Sequence, residues 1–204
     1  EAVKAEFKLT EDPLLRYSNV APLIGDELKQ RGLSAVVFTS LLILLYVAVR
    51  FRMVSGLSAG TTAVIALIHD MFIMVTVYSL FRIPVNSSFI AALLTILGYS
   101  INDTIVVYDR IRENQGLLKK LPFAELVNRS INETLARSIN TMVTTVIAVL
   151  CMYIAGVYYG VRSIQEFTFP LLIGLVSGGY SSIFIASPIW VIWKGSRERR
   201  VVTK

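Results

Sequence analysis

Three places in this chain set polar or ionisable side chains among apolar neighbours: His69-Asp70, Asn102-Asp103 and Arg137. A carboxylate, an imidazole and a guanidinium in such surroundings suit the binding and release of protons. Burial favours the neutral carboxylic acid, and an approaching guanidinium favours the carboxylate. A group that moves between those two settings takes up a proton in one and releases it in the other. No nucleophile–base pair or Gly-rich phosphate loop accompanies these residues. No metal cluster does either, beyond one His beside one Asp. The sequence therefore predicts no enzyme, no cofactor and no metal site.

The surroundings are apolar because the solvent is a bilayer. Of the 204 residues 54% are hydrophobic and 17% charged, and the mean hydropathy is +0.63. A soluble domain carries about 25% charged residues. Five uncharged or nearly uncharged runs are long enough to cross: 33–51, 57–80, 88–108, 139–159 and 168–193. Nineteen helical residues rise about 28 Å, close to the ~30 Å hydrocarbon core. The predicted fold is all-α, a polytopic bundle of five transmembrane helices with one cytoplasmic amphipathic helix. Gly178, Gly179 and Pro188 interrupt the fifth run and predict a kink there.

Residues 1–32 read as the end of an extracytoplasmic domain with a short amphipathic lead-in from Pro22 to Leu28. Residues 33–193 form the bundle, including a cytoplasmic connection at 109–138, and 194–204 form a basic tail. Within 109–138, Pro122 suits a first helical turn. Phe123, Leu126, Val127, Ile131 and Leu135 share one face, while Glu125 and Arg129 form an i,i+4 pair on the other. That helix lies either on the membrane surface or, as favoured here, on the protein's own spans.

Orientation follows Lys and Arg. Arg50, Arg52, Arg110, Arg112, Lys119, Lys120, Arg129 and Arg137 lie in the first and third connections. Lys194, Arg197, Arg199, Arg200 and Lys204 lie in the tail, whereas the other two connections hold only Arg82 and Arg162. The N-terminus is thus expected outside and the C-terminus in the cytoplasm. The net charge of +6 is then an orientation signal, and no nucleic-acid partner is implied. Trp190, Trp193, Tyr158 and Tyr159 fall near span ends, where amphipathic rings prefer to sit. Cys151 reads as a small core hydrophobe.

Charge at mid-bilayer costs at least ~2.5–3.5 kcal/mol on insertion scales, so each intruder needs a partner, a cavity or a neutral state. Asp103 lies about 10 Å inside the cytoplasmic end by helical rise. Arg137 enters the next, antiparallel span from that side, so an Asp103–Arg137 ion pair is expected. Tyr99, Ser100, Thr141, Thr144 and Thr145 extend a polar seam, with Asn102 beside it. A static pair that only fixes helix packing is the alternative. His69, Asp70, Asn102, Thr141 and Thr145 fit a proton path or packing. Gly174, Ser177, Gly178, Ser181 and Ser182 are read as small residues that let helices approach.

The stretch Gly98-Tyr-Ser-Ile-Asn-Asp-Thr-Ile-Val-Val-Tyr-Asp-Arg-Ile-Arg-Glu-Asn114 closely resembles the signature of the SecF family. The stretch from Thr134 to Thr145, the mid-span His69-Asp70 and the segment Asn19–Leu28 are also similar to that family, so the resemblance covers nearly the whole chain. It implies a six-span half-transporter of the RND superfamily in the bacterial inner membrane. Such a subunit pairs with SecD beside the SecYEG channel and uses the proton gradient to draw exported preproteins outward. The family's proton-path carboxylate falls on Asp103 and its arginine on Arg137. Ala21, Ser138, Met142 and Tyr108 depart from the usual Gly, Thr, Ser and Phe. The chain starts at Glu1 and lacks the family's first span, so its five spans correspond to the second to sixth. Two alternatives remain: half of a small-molecule exporter of the same superfamily, and a purely structural translocon subunit.

Overall fold

The computed structural model describes residues 22–52 and 56–202, with side chains described for 27–52 and 56–194. Residues 1–21, most of the expected extracytoplasmic end, lie outside the described residues. Six α-helices follow one another: α1 (Pro22–Arg50), α2 (Gly56–Leu80), α3 (Ser87–Leu117), α4 (Phe123–Tyr158), α5 (Arg162–Ser181) and α6 (Ser187–Val202). A π-helical turn, Ser182–Ala186, joins α5 to α6. Five stretches are long and apolar enough to span a membrane, the fifth running from Arg162 to Lys194 through that turn. The five expected spans are therefore present. The expected lead-in helix at Pro22 continues into α1 without a break.

Local chemistry sets the helix ends. Asn86 caps α3, its side-chain oxygen accepting from the Phe89 N–H at 3.0 Å. Its amide nitrogen donates to Glu166 Oε2 at 2.7 Å, which ties α3 to the start of α5. Between α4 and α5, Gly160 takes φ +68°, a left-handed conformation that costs glycine little.

Many large apolar side chains are exposed, among them Leu33, Phe38, Leu45, Phe72 and Ile154. In water such a surface would aggregate; in lipid it is the expected outer face. The buried core lies where α2, α3 and α5 meet, with Leu67, Met74, Leu93, Ile96, Leu97 and Leu175 among its members. Small residues bring α5 close to α3. A Cβ on Gly174 would sit 2.5 Å from Ile96 Cγ1, and one on Gly178 would sit 3.1 Å from Ser100 Cβ. The two glycines thus do what small residues were expected to do.

The basic end of the bundle is closed by aromatic packing. Trp190, fully buried, lies 4.6 Å from the Tyr108 ring and 5.5 Å from that of Phe123. Leu126 and Val127 are buried as well, so the amphipathic segment of α4 packs on the bundle itself, the arrangement favoured from its sequence. Its polar face differs from expectation: Arg129 pairs with Glu133 at 3.0 Å rather than with Glu125. Glu133 also collects Arg110 and Asn114, which makes it the stronger centre. Cys151 is exposed on α4, not in the core, because α4 turns only a narrow face inward. The expected interruption of the fifth span is the π-helical turn at 182–186, four residues beyond Gly178. Gly178 and Gly179 themselves remain helical.

Candidate functional site

Asp70 is completely buried in α2, and its carboxylate is enclosed by hydroxyls. Ser100 of α3 donates to Oδ2 at 2.7 Å. From α5, Ser177 donates to Oδ1 at 2.7 Å and Ser181 to Oδ2 at 2.8 Å. His69, part-exposed, places Nδ1 3.3 Å from Oδ1. Three hydroxyl donors suit an acceptor-only carboxylate. Ser177 and Ser181 are one helical turn apart, so α5 presents both to the same acceptor. The sequence marked them as packing residues only; they are also the partners that make a buried carboxylate tolerable.

The π-helical turn extends this network. Ser182 follows Ser181 directly and is equally buried. Its hydroxyl lies 2.9 Å from Thr104 Oγ1 and 3.2 Å from the Ser100 carbonyl oxygen. Consecutive serines therefore bind two different helices, Ser181 reaching α2 and Ser182 reaching α3. Thr104 is the residue after Asp103, so the bonds around Asp70 run to the threshold of the second carboxylate.

Asp103 is 9% exposed, and its two oxygens differ. Oδ1 accepts from Ser138 of α4 at 2.8 Å. Oδ2 is buried and has no hydrogen-bond partner among the described residues. The expected ion pair with Arg137 is not made: no salt bridge within 4.0 Å joins them. A residue step turns an α-helix by about 100°, so α4 can aim only one of the two neighbours at Asp103. That one is Ser138, which is 4% exposed.

Arg137 instead lines an open cleft of about 800 Å³ at the basic end, together with Asn102, Asp109, Arg110, Glu113 and Glu133. The guanidinium stays near enough to act on Asp103 through its charge. Charges organise the cleft walls. Arg110 bonds Glu133 at 2.6 Å and Glu113 at 2.7 Å, while Arg50 of α1 meets Asp109 at 2.9 Å. Glu133 precedes the apolar run of α4. Hydrogen bonds from Asn114, Arg129 and Arg110 hold its carboxyl well below the usual range, at about 2.

The rest of the expected seam is partly assembled. Tyr99 donates to Thr145 Oγ1 at 3.2 Å across α3 and α4. Thr141, Thr144 and Thr145 donate to carbonyl oxygens of their own helix, Thr141 to Arg137 and Thr145 to Thr141. The structure thus brings Asp103, Arg137, Asn102 and Thr145 to the α3–α4 interface and places His69 and Asp70 in a second cluster with α3 and α5. Ser138 is the functional candidate that sequence reasoning missed. Its signal was its place beside Arg137 at the depth of Asp103.

Residues 2–196 match the family described as protein export membrane protein SecD/SecF, C-terminal. The chain belongs to this SecD/SecF family. The SecF protein translocase subunit of Alicyclobacillus acidocaldarius is 44% identical, over 93% of this chain and 60% of that protein. The SecDF subunit of Thermus thermophilus is 43% identical, over 98% of this chain and 26% of that protein. The crystal structure of SecDF from Thermus thermophilus superposes with a TM-score of 0.77 at 45% identity. The match covers 86% of this chain and 23% of that one. This chain therefore spans about three fifths of that SecF relative and about a quarter of the SecDF one. Relatives in the SecD/SecF family are named as translocase subunits, a role in transport.

Proposed function

We propose that this chain is the membrane-embedded part of a Sec protein-export accessory subunit that draws on the proton gradient. The observation that carries the reading is the Asp103 carboxyl group. It is nine-tenths buried, holds one oxygen without a partner among the described residues, and follows Asn102, which lines the open cleft that contains Arg137. A carboxyl group with one free oxygen accepts a proton without first breaking a hydrogen bond. Approach of Arg137 from the cleft favours the carboxylate, and its withdrawal favours the acid. Alternation between these states, each open to a different side of the membrane, couples proton flow to helix movement.

The basic end lies in the cytoplasm of a bacterial cell and the N-terminal side of α1 outside, following the distribution of Lys and Arg. The names of the relatives support a SecD-like partner. On this reading the pair works beside the SecYEG channel on preproteins crossing the bilayer. Asp70, with both oxygens bonded, serves as a clasp between α2, α3 and α5.

The test uses the full-length protein with its SecD-like partner in energised membrane vesicles. Asp103→Asn and Arg137→Ala should assemble and lose the gradient-dependent part of late-stage preprotein translocation. Normal gradient-dependent translocation by both variants overturns the reading and leaves a structural pair.

A further inference from the structure

We propose that Ser138 is the positioning residue of the Asp103 site: it holds Oδ1 and so reserves Oδ2 as the oxygen that takes and gives the proton. This rests on the reading of Asp103 as a proton carrier.

The geometry assigns the two oxygens unequal work. Ser138 Oγ donates to Oδ1 at 2.8 Å between two buried residues. Other hydroxyls on α4, those of Thr134, Thr141, Thr144 and Thr145, donate to carbonyl oxygens of their own helix. Ser138 points across the interface instead. Oδ2 has no partner. When Asp103 is ionised, Ser138 donates to a charged oxygen. When Oδ2 carries the proton, Oδ1 is the carbonyl oxygen of the acid and still accepts from Ser138. One bond therefore persists through both states and keeps the carboxyl group from rotating, so the proton always arrives at and leaves from the same atom.

Asp70 supplies the contrast. Its oxygens accept from Ser100, Ser177 and Ser181, so protonation there would disturb at least one bond that joins helices. A carboxyl group with a single fixed oxygen suits turnover; one with both oxygens engaged suits holding.

A hydrogen bond from Ser138 is stronger to the carboxylate than to the neutral acid, so it favours proton release. The other ionisable groups around Asp103 are few. Arg137 on α4 acts on it by charge. On α3 they are the phenols of Tyr99 and Tyr108, bonded to Thr145 and Thr62, and then Asp109 and Arg110, toward the cleft, where Glu133 of α4 also lies. On α2 they are His69 and Asp70. The fifth span has no charged residue between Glu166 and Lys194.

The experiment places Ser138→Ala, Ser138→Cys, Ser138→Thr and Asp103→Asn in the full-length protein, assembled with its SecD-like partner. Gradient-driven translocation in vesicles is followed against pH. Without the Ser138 hydroxyl, Asp103 keeps its proton to higher pH. The pH below which activity falls should therefore rise by about one unit in Ser138→Ala. Ser138→Cys, close in size but a weak donor, should shift the same way by less. Ser138→Thr should follow the unmodified protein. A purely structural role would lower the amount of assembled protein without moving the profile. The proposal is overturned if the assembled Ala or Cys variant keeps the unmodified profile, or if Thr shifts as far as Ala. If Asp103→Asn keeps gradient-driven translocation, the reading of Asp103 itself fails. If it abolishes translocation while the Ala and Cys profiles stay unmoved, the role of Ser138 alone fails.

Discussion

The Trp190 indole N–H donates to Ser58 Oγ at 3.0 Å, joining the first turn of α6 to the first turn of α2. The phase of Trp190 depends on the π-helical turn before it. That turn contains one residue more than an α-helix needs, and its residues precede Trp190 by only a few positions.

Removing Phe184 should convert the turn to α-helix and rotate everything after it by about 100°. Trp190 would then leave the Tyr108 and Phe123 rings. With Trp193→Phe in the background, Trp190 is the only tryptophan, and its emission should shift to the red and become quenchable. Unchanged emission would show that the turn does not set its position.

Asp70→Ala should reduce stability by about 2–4 kcal/mol, because three serine donors lose their acceptor inside the bilayer. Asp70→Asn, which keeps one acceptor oxygen, should cost less. Unfolding of the purified protein in detergent measures both. An Ala variant as stable as the unmodified protein would refute the clasp.

Gly174→Ala drives a methyl group against Ile96 and should cost about 1–3 kcal/mol through overpacking. Ile96→Ala opens that space from the other side. The double variant should be more stable than the sum of the single effects requires, and additive losses in unfolding midpoints would contradict the contact.

Glu133 bears on which group titrates. Its carboxyl is held at about 2, first by Asn114 and then by Arg129 and Arg110. A lowered value in the folded state contributes stability above the ordinary carboxylate range. That stability is lost as the pH falls from the ordinary carboxylate range through the lowered value. Between about pH 5 and 9 the contribution is constant. The difference in unfolding midpoint between Glu133→Gln and the unmodified protein should therefore be flat across that window. A slope would mean that Glu133 exchanges protons there.

The spans were legible because a bilayer demands about 20 apolar residues in a row and penalises each polar intruder. The same penalty exposed Asp70, Asp103 and Arg137 as residues needing partners. Which partner each one has was not legible. Arg137 and Ser138 are neighbours in sequence but point about 100° apart, and only helix–helix packing decides which meets Asp103. Ser177 and Ser181 were recognisable as small, yet their role required knowing that α5 passes Asp70 at matching depth. Cys151 was misjudged because an apolar run in a membrane helix does not reveal which face meets protein and which meets lipid. Arg129 went to Glu133 instead of Glu125 because Glu133 already gathers Arg110 and Asn114, contacts that sequence spacing does not display.

The threonines of α4 have a mechanical consequence. Because Thr141 and Thr144 donate to their own helix, they make no claim on whatever lies opposite. Within the bilayer, α3 is fastened to α4 among the described residues by two side-chain hydrogen bonds, Tyr99–Thr145 and Ser138–Asp103. By contrast, α2, α3 and α5 share the bonds that converge on Asp70, with Thr104–Ser182 beside them. Within the bilayer α2, α3 and α5 thus form a bolted block, and α4, anchored to α3 at its basic end by Arg110–Glu133 and Asn114–Ser130, rests against it on a greased rail. Sliding α4 against α3 within the bilayer breaks these two bonds, and one of them is the bond that holds the Asp103 carboxyl group still.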